Sequence, residues 1–500
     1  LVVDPIGQGE RLQIIDREGK PLTRGATTEH TLLNAGFNLL GTSLAAQEYW
    51  DNHRALDYLL TRKDIDPEHI GVYGSSGGGT QTAYYIGLDP RVKVAAICRF
   101  FSTRERTMEL QGPSDGCQHI PYEGREQLEV PDFALMMAPR PLLILSGKYD
   151  FVDLWGAQQG FAELQQCYKV LGVPEKVDML TVETGHGLGA EKRQKLASWF
   201  KRWLKDNQSP VKKAAQDRFQ LSDMLCTTKG QVNVSMPGAL SIMQENVNQL
   251  DEWASKRETF LSKGKKTVQT KMLDLLGLKG LPDHKIRIEA TGHDSMREYE
   301  QYKFQLIREG EMPVPCILIM PSRANADSPI ELRLQEEGKG TYLSEYANFA
   351  AALTEGKILL LADLRGLGET TDPAFYTDAK YWNREYRNAM ISMHIGRPIM
   401  GQRVVDILTL LDFCSEHELL KGHPVKVFAN GIYGPAVIHA AYLDERINSV
   451  EITHSVKTWK EYIEKPMQWD MYSNVLYGAL KYYDLPDLIR LSNRPIRFAD

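Results

Sequence analysis

An excess of charge of one sign is missing from this chain: 59 Lys and Arg stand against 65 Asp and Glu, a formal net charge of -6. Without a basic face there is nothing to neutralise a phosphate backbone, which argues against a nucleic-acid partner. The one basic run, Lys263-Gly264-Lys265-Lys266, is short and reads as a solvated helix end. Long apolar runs are also missing, so no segment is expected to span a bilayer. The six cysteines, Cys98, Cys117, Cys167, Cys226, Cys316 and Cys414, are scattered without C-x-x-C spacing. That supports neither a structural zinc nor a disulfide scaffold, and leaves the redox compartment open. A starter methionine and a signal peptide are missing too. Leu1-Val2-Val3-Asp4 begins inside what reads as a strand, the expectation for a fragment or a processed chain that has lost its targeting information. What is present is a globular composition, 500 residues with 42% apolar content, long enough for two or three domains.

The densest glycine stretch is Ile70-Gly-Val-Tyr-Gly-Ser-Ser-Gly-Gly-Gly-Thr80. A short apolar run ending at Tyr73 reads as a buried strand, and residues 80–86 read as a helix. Between them Gly74-Ser75-Ser76-Gly77-Gly78 fits G-x-S-x-G, a sharp strand-to-helix turn that exposes one serine hydroxyl. Ser76 is the candidate nucleophile. The glycines permit a strained backbone and close approach of strand and helix. The Gly77 N–H lies where an oxyanion would be stabilised.

Further along, residues 49–60 have helical spacing, and 92–97, 141–146 and 177–182 read as buried parallel strands, with a helix over 157–171. The repeated strand-helix-strand order predicts an α/β fold on a doubly wound, mostly parallel sheet. Asp150 follows the 141–146 strand and is the candidate acid, with Asp153 in reserve. Its bland alternative is a turn or helix-cap aspartate. His186, in Thr184-Gly185-His186-Gly187, follows the 177–182 strand and is the candidate base. Serine needs a base to take its proton, and a carboxylate fixes the tautomer of that base. The chain order Ser, Asp, His is that of the α/β-hydrolases. His119, in the irregular stretch 101–131, is the rival base and otherwise a substrate contact. Cys117 lacks a glycine turn that would expose it as a nucleophile.

The motifs GVYGSSGGG, GPSDGCQHIP, DFALMMAPRPLLILSGKYD and ETGHG, within residues 70–204, resemble the acetyl xylan esterase-like branch of the α/β-hydrolase superfamily. The resemblance implies a serine carbohydrate esterase that needs no metal or cofactor, takes an acylated carbohydrate and is secreted or periplasmic. It also implies a triad of Ser76, Asp150 and His186.

Three domains are expected: a catalytic unit over 1–204, a helical linker over 205–281 with one long amphipathic helix over 241–276, and a second unit over 282–500. The second unit reads as a repeat of the first. Leu361-Ala362-Asp363 to Glu369 matches Val2-Val3-Asp4 to Glu10, and residues 41–97 align without a gap at a shift of 355. On that register Ala429-Asn430-Gly431-Ile432-Tyr433 faces the serine turn, so Gly431 replaces the nucleophile. The second unit should be catalytically silent, with a structural or substrate-positioning role. It carries strands over 302–308, 314–320 and 330–334, and a loop, 335–340, that in this superfamily lends the second oxyanion N–H. The first unit has no equivalent after Leu1, so it is expected to lack its first strands. Two other readings stand beside the esterase: a serine peptidase of the prolyl-oligopeptidase type, and a non-catalytic carbohydrate-binding module.

Overall fold

The computed structural model describes residues 1–211, 219–373 and 381–499. Parts of the expected linker (212–218) and of the expected second domain (374–380 and 500) lie outside the described residues. The chain divides into two compact units, one of Leu1–Asn34 and Ser43–Ile242, the other of Ala35–Thr42 and Met243–Asp500. No helix of the described residues is long and apolar enough to cross a membrane.

Unit 1 rests on four parallel strands in the order β1 (Gly71–Ser75), β2 (Val94–Cys98), β3 (Leu142–Gly147) and β4 (Val177–Val182). Side chains alternate across a strand. Ala95 and Ile97 of β2 and Leu142 and Ile144 of β3 therefore join one core. Val94, Ala96 and Cys98, with Leu143 and Leu145, join the other. Both faces are covered, which is why these strands read as unbroken apolar runs. The first core is filled from α2 (Leu44–Leu60), α3 (Gly77–Ile86), α5 (Val130–Leu135) and α6 (Leu154–Val170); the second takes Leu196 and Trp199 of α7 (Ala190–Lys205). Unit 1 also holds α4 (Arg104–Gln111) and the part of α1 (Ala26–Leu39) up to Asn34.

Residues 2–10 read as a strand leading into a glycine turn; the turn is present, with Gly7 and Gly9 at positive φ of 82° and 55°, and the strand is not: the Asp4 carboxylate instead accepts the Glu10 N–H at 2.9 Å. Among the described residues β1 is an edge strand, and the segment does not pair with it. The expected linker is packed. Its part around α8 (Leu221–Met224) and α9 (Val232–Ser235) closes on that turn: Glu10 accepts the N–H groups of Cys226 and Thr227, and Gln231 accepts the Leu12 N–H.

In unit 2 the expected single helix over 241–276 is three: α10 (Ile242–Glu252), α11 (Ala254–Leu261) and α12 (Lys265–Leu275), the last break made by Gly264 at φ 94°. The sheet contains β5 (Arg287–Ser295), β6 (Tyr299–Ile307), β7 (Val314–Pro321), β8 (Ile330–Leu334), β9 (Ile358–Ala362), β10 (Val425–Asn430), β11 (Ile447–Thr453) and β12 (Ile496–Phe498). Their order is β12-β11-β10-β8-β9-β7-β6-β5. The sheet is mixed: β9, β8, β10, β11 and β12 pair parallel, and β5, β6, β7 and β9 pair antiparallel along one side.

Residues paired at a shift of 355 hold like geometry within their own units. Arg91 bridges Asp89 and Asp57 at 2.6 and 2.5 Å; Arg446 bridges Asp444 and Asp412 at 2.6 Å each. Glu129 and Asp132 form a capping box, as do Asp484 and Asp487. At a different shift, 359 (363 − 4), the Asp4 turn resembles that of Asp363, whose carboxylate accepts the Glu369 N–H at 2.9 Å.

The irregular stretch of unit 1 is pinned by a buried ion pair. Arg104 Nε donates to Glu123 at 3.1 Å, and the same guanidinium donates to the Gln118 carbonyl and the Tyr84 hydroxyl, each at 2.9 Å. Both charged groups are buried. Removing one partner strands the other in a low-dielectric interior. Arg104→Met should therefore lower the urea-unfolding free energy by about 3–5 kcal/mol, and Arg104→Met with Glu123→Leu should regain most of it.

Candidate active site

β1 delivers Ser75 and Ser76 to the carboxyl edge of the sheet, and the backbone then reverses. Ser76 sits at φ 59°, ψ -122°, and its N–H donates to the Cys98 carbonyl of the neighbouring strand at 2.9 Å. A side chain at positive φ is disfavoured by about 1–2 kcal/mol, so the surrounding packing must hold it. Two glycines supply that packing. A Cβ on Gly74 would lie 1.9 Å from the Gly78 carbonyl oxygen, and one on Gly79 would lie 2.7 Å from the Cys98 oxygen. Gly77 and Gly78 face no such restriction. Glycine at 79, outside the five-residue motif, is therefore what lets α3 close on β2. Gly77 opens α3, so its N–H is among those left without an intrahelical acceptor and faces the first turn.

The acid and the imidazole meet because β3 and β4 keep pairing after their last residues. Lys148 N–H donates to the Val182 carbonyl at 2.8 Å, and Tyr149 N–H to the Thr184 carbonyl at 3.1 Å. Gly147 permits this approach, since a Cβ there would lie 2.6 Å from the Thr184 oxygen. Asp150 and His186 are then side by side: His186 Nδ1 is 2.7 Å from Asp150 Oδ1, and His186 Nε2 is 2.9 Å from Ser76 Oγ. The Asp150 carboxylate is 1% exposed and the His186 ring 24%. A buried carboxylate behind a partly open imidazole requires the proton on Nδ1, which leaves the Nε2 lone pair toward the serine hydroxyl.

Asp153, the reserve acid, caps α6 by accepting the Gly156 N–H at 2.6 Å, so its bland reading is the one observed. His119 is buried at 3% exposure, not displayed on a loop surface, and Cys117 is buried at 2%. The two His186 ring nitrogens face Asp150 and Ser76. Several neighbours were not found from the sequence. Phe151 stacks on His186 with ring centres 4.2 Å apart. Lys192 is buried and donates to the Gly187 carbonyl at 3.2 Å, fastening the histidine loop. Burial lowers its pKa, with Asp150 among the charges opposing that shift. Arg99, itself at φ 57°, donates to Ser75 Oγ at 2.7 Å. Lys192 stands six residues after His186, on the first turns of a helix. That spacing is the only trace of it in the sequence.

The corresponding turn in unit 2 keeps the backbone and changes the chemistry. Gly431 has φ 63°, and His454, at the place of Arg99, has φ 53°. The Glu336 carboxylate, from the loop after β8, accepts the Ile432 N–H at 3.0 Å. A Cβ on Gly431 would lie 1.8 Å from that same oxygen. The Ile432 amide, at a shift of 355 from Gly77, thus already has a carboxylate acceptor.

Residues 40–207 match the prolyl oligopeptidase family model. YtaP of Bacillus subtilis (strain 168), a protein named as a hydrolase, is 25% identical over 168 residues, which cover 33% of this chain and 56% of that one. The chain therefore spans just over half the length of this curated relative. Among solved structures, a Bacteroides fragilis NCTC 9343 protein described as an acetyl xylan esterase superposes with a TM-score of 0.41 at 15% identity, covering 49% of this chain and 68% of its own. Acetyl xylan esterase 1 from Thermoanaerobacterium sp. JW/SL YS485 gives 0.33 at 15% identity, covering 47% and 77%. The four parallel strands, with the serine turn after β1 and Asp150 and His186 after β3 and β4, have the α/β-hydrolase arrangement.

Two outcomes follow for a fluorophosphonate probe read by intact-mass spectrometry. The chain should label at Ser76, and Gly147→Ala, which forces the Asp150 and His186 loops apart, should slow labelling on the order of 10²-fold. In a Ser76→Ala background, Gly431→Ser should remain unlabelled, because a side chain at 431 would meet the Glu336 carboxylate and the neighbouring imidazole, His454, is engaged through Nδ1 with the Asn430 side chain.

Proposed function

We propose that unit 1 is a serine esterase that removes acetyl or similar small acyl groups from a carbohydrate. The observation that carries the reading is the unbroken line of hydrogen bonds from Ser76 Oγ through His186 to Asp150. In that line His186 Nε2 takes the serine proton as Oγ attacks the acyl carbon, and Asp150 stabilises the imidazolium that forms. The carbonyl oxygen becomes an oxyanion facing the Gly77 N–H. The tetrahedral intermediate collapses, the C–O bond to the sugar breaks, and the departing sugar oxygen takes the proton from Nε2. Water then repeats the sequence: His186 removes its proton, hydroxide attacks the acyl-enzyme, and Ser76 leaves with its proton restored.

The ester class and the carbohydrate rest on the motifs of residues 70–204. The prolyl oligopeptidase match over residues 40–207 favours a second reading, amide cleavage by the same three residues. We further read unit 2 as a silent duplicate of unit 1 that serves as scaffold or positions substrate. The like geometry at Arg91 and Arg446, at the two capping boxes and at Ser76 and Gly431 supports this.

Acetate release from acetylated xylan should be measurable for the chain and fall by roughly 10⁴-fold or more in Ser76→Ala and in Asp150→Asn. Cleavage of a proline-containing peptide amide with acetylated xylan left intact would replace the esterase by the peptidase. Turnover unaffected by Ser76→Ala would remove both.

A further inference from the structure

Away from Ser76, unit 1 buries a second cluster of reactive side chains. His30 Nδ1 lies 3.3 Å from Cys117 Sγ and 3.6 Å from Asp115 Oδ2, and Cys117 Sγ lies 3.4 Å from that oxygen. His30, Asp115 and Cys117 are 4%, 5% and 2% exposed. One nitrogen, one sulfur and one oxygen thus form a nearly equilateral triangle. Donors held about 2.0–2.3 Å from a tetrahedral ion stand about 3.3–3.6 Å from one another. The triangle has those dimensions without any rearrangement.

A further carboxylate lies beside the cluster: Glu48 is 2% exposed and its Oε1 has no hydrogen-bond partner. The local frame is rigid. Gly116 N–H donates to Thr31 Oγ1 at 3.0 Å, and a Cβ on Gly116 would strike the backbone of α1 at 2.8 Å. Gln118 donates to the other oxygen of Asp115, orienting its carboxylate.

We propose that His30, Asp115 and Cys117 form a structural binding site for a divalent cation of the zinc class, with the Glu48 carboxylate as its neighbouring counter-charge. Mixed nitrogen, thiolate and carboxylate donors suit that class over magnesium or calcium, which take oxygen ligands. On binding, Cys117 releases its proton to solvent and its sulfur becomes a ligand. His30 binds through Nδ1 with its proton on Nε2, and Asp115 binds through Oδ2. Because the donors are buried, the ion would fasten α1 to the stretch around residue 116 and would not meet substrate. The site is independent of the esterase reading, and it runs against the expectation from cysteine spacing, because two of its ligands lie far from Cys117 or belong to other residue types.

The full chain, stripped with a chelator and dialysed, should bind about one zinc per chain, and cobalt(II) in its place should give a sulfur-to-metal charge-transfer band. Affinity should fall about tenfold per pH unit for each proton displaced as the pH is lowered from about 8 to about 6. Cys117→Ser should abolish the band while circular dichroism stays that of a folded chain, and Ser76→Ala should leave metal content unchanged. If Cys117→Ser does not fold, the wild-type cobalt spectrum decides. A wild-type chain without the band, or zinc content that survives Cys117→Ser, overturns the proposal and leaves a purely hydrogen-bonded trio.

Discussion

Parallel strands end on the same edge of a sheet, and the candidate site depends on that. Ser76, Asp150 and His186 each follow the last residue of a different strand, and all four strands of unit 1 point the same way. The side chains therefore reach a common edge without any long loop having to find another. Continued pairing of the 148–149 backbone with Val182 and Thr184 then narrows a shared edge to a hydrogen-bond distance. Gly147 is the residue whose missing Cβ makes this closure sterically possible.

Unit 2 shows that backbone and chemistry separate cleanly. A positive φ survives at Gly431 where glycine no longer needs external packing to hold it, since the strain belongs to side-chain-bearing residues. Residue 431 carries no hydroxyl, and the Glu336 carboxylate that accepts the Ile432 N–H would repel a developing oxyanion there. The turn follows β10, which β8 and β11 flank.

Where the sequence reading succeeded, the signal was local. The strand over 177–182 matched β4 to the residue, and 330–334 matched β8, because each is a short run rich in apolar residues with no helical period. Where it failed, a partner was involved. Residues 2–10 look extended, but a strand needs a neighbour, and Asp4 organises them as a turn instead. The apolar period over 241–276 persists through breaks at Trp253 and Gly264 that periodicity does not register. Asp153 and Asp150 are alike in a sequence window; only the position of the Gly156 N–H separates a helix cap from an acid facing an imidazole.

By itself the sequence determined the alternation of strands and helices, the glycine turn that isolates Ser76, and the loss of a side chain at 431, since each is written in residues adjacent along the chain. Only the tertiary structure decided that the hydroxyl, imidazole and carboxylate share one line of hydrogen bonds. It also decided that Gly79, Gly147 and Lys192 support that line, and that Glu336 closes the second turn. Those depend on distances between atoms up to 110 positions apart, which sheet geometry sets and local propensity does not encode.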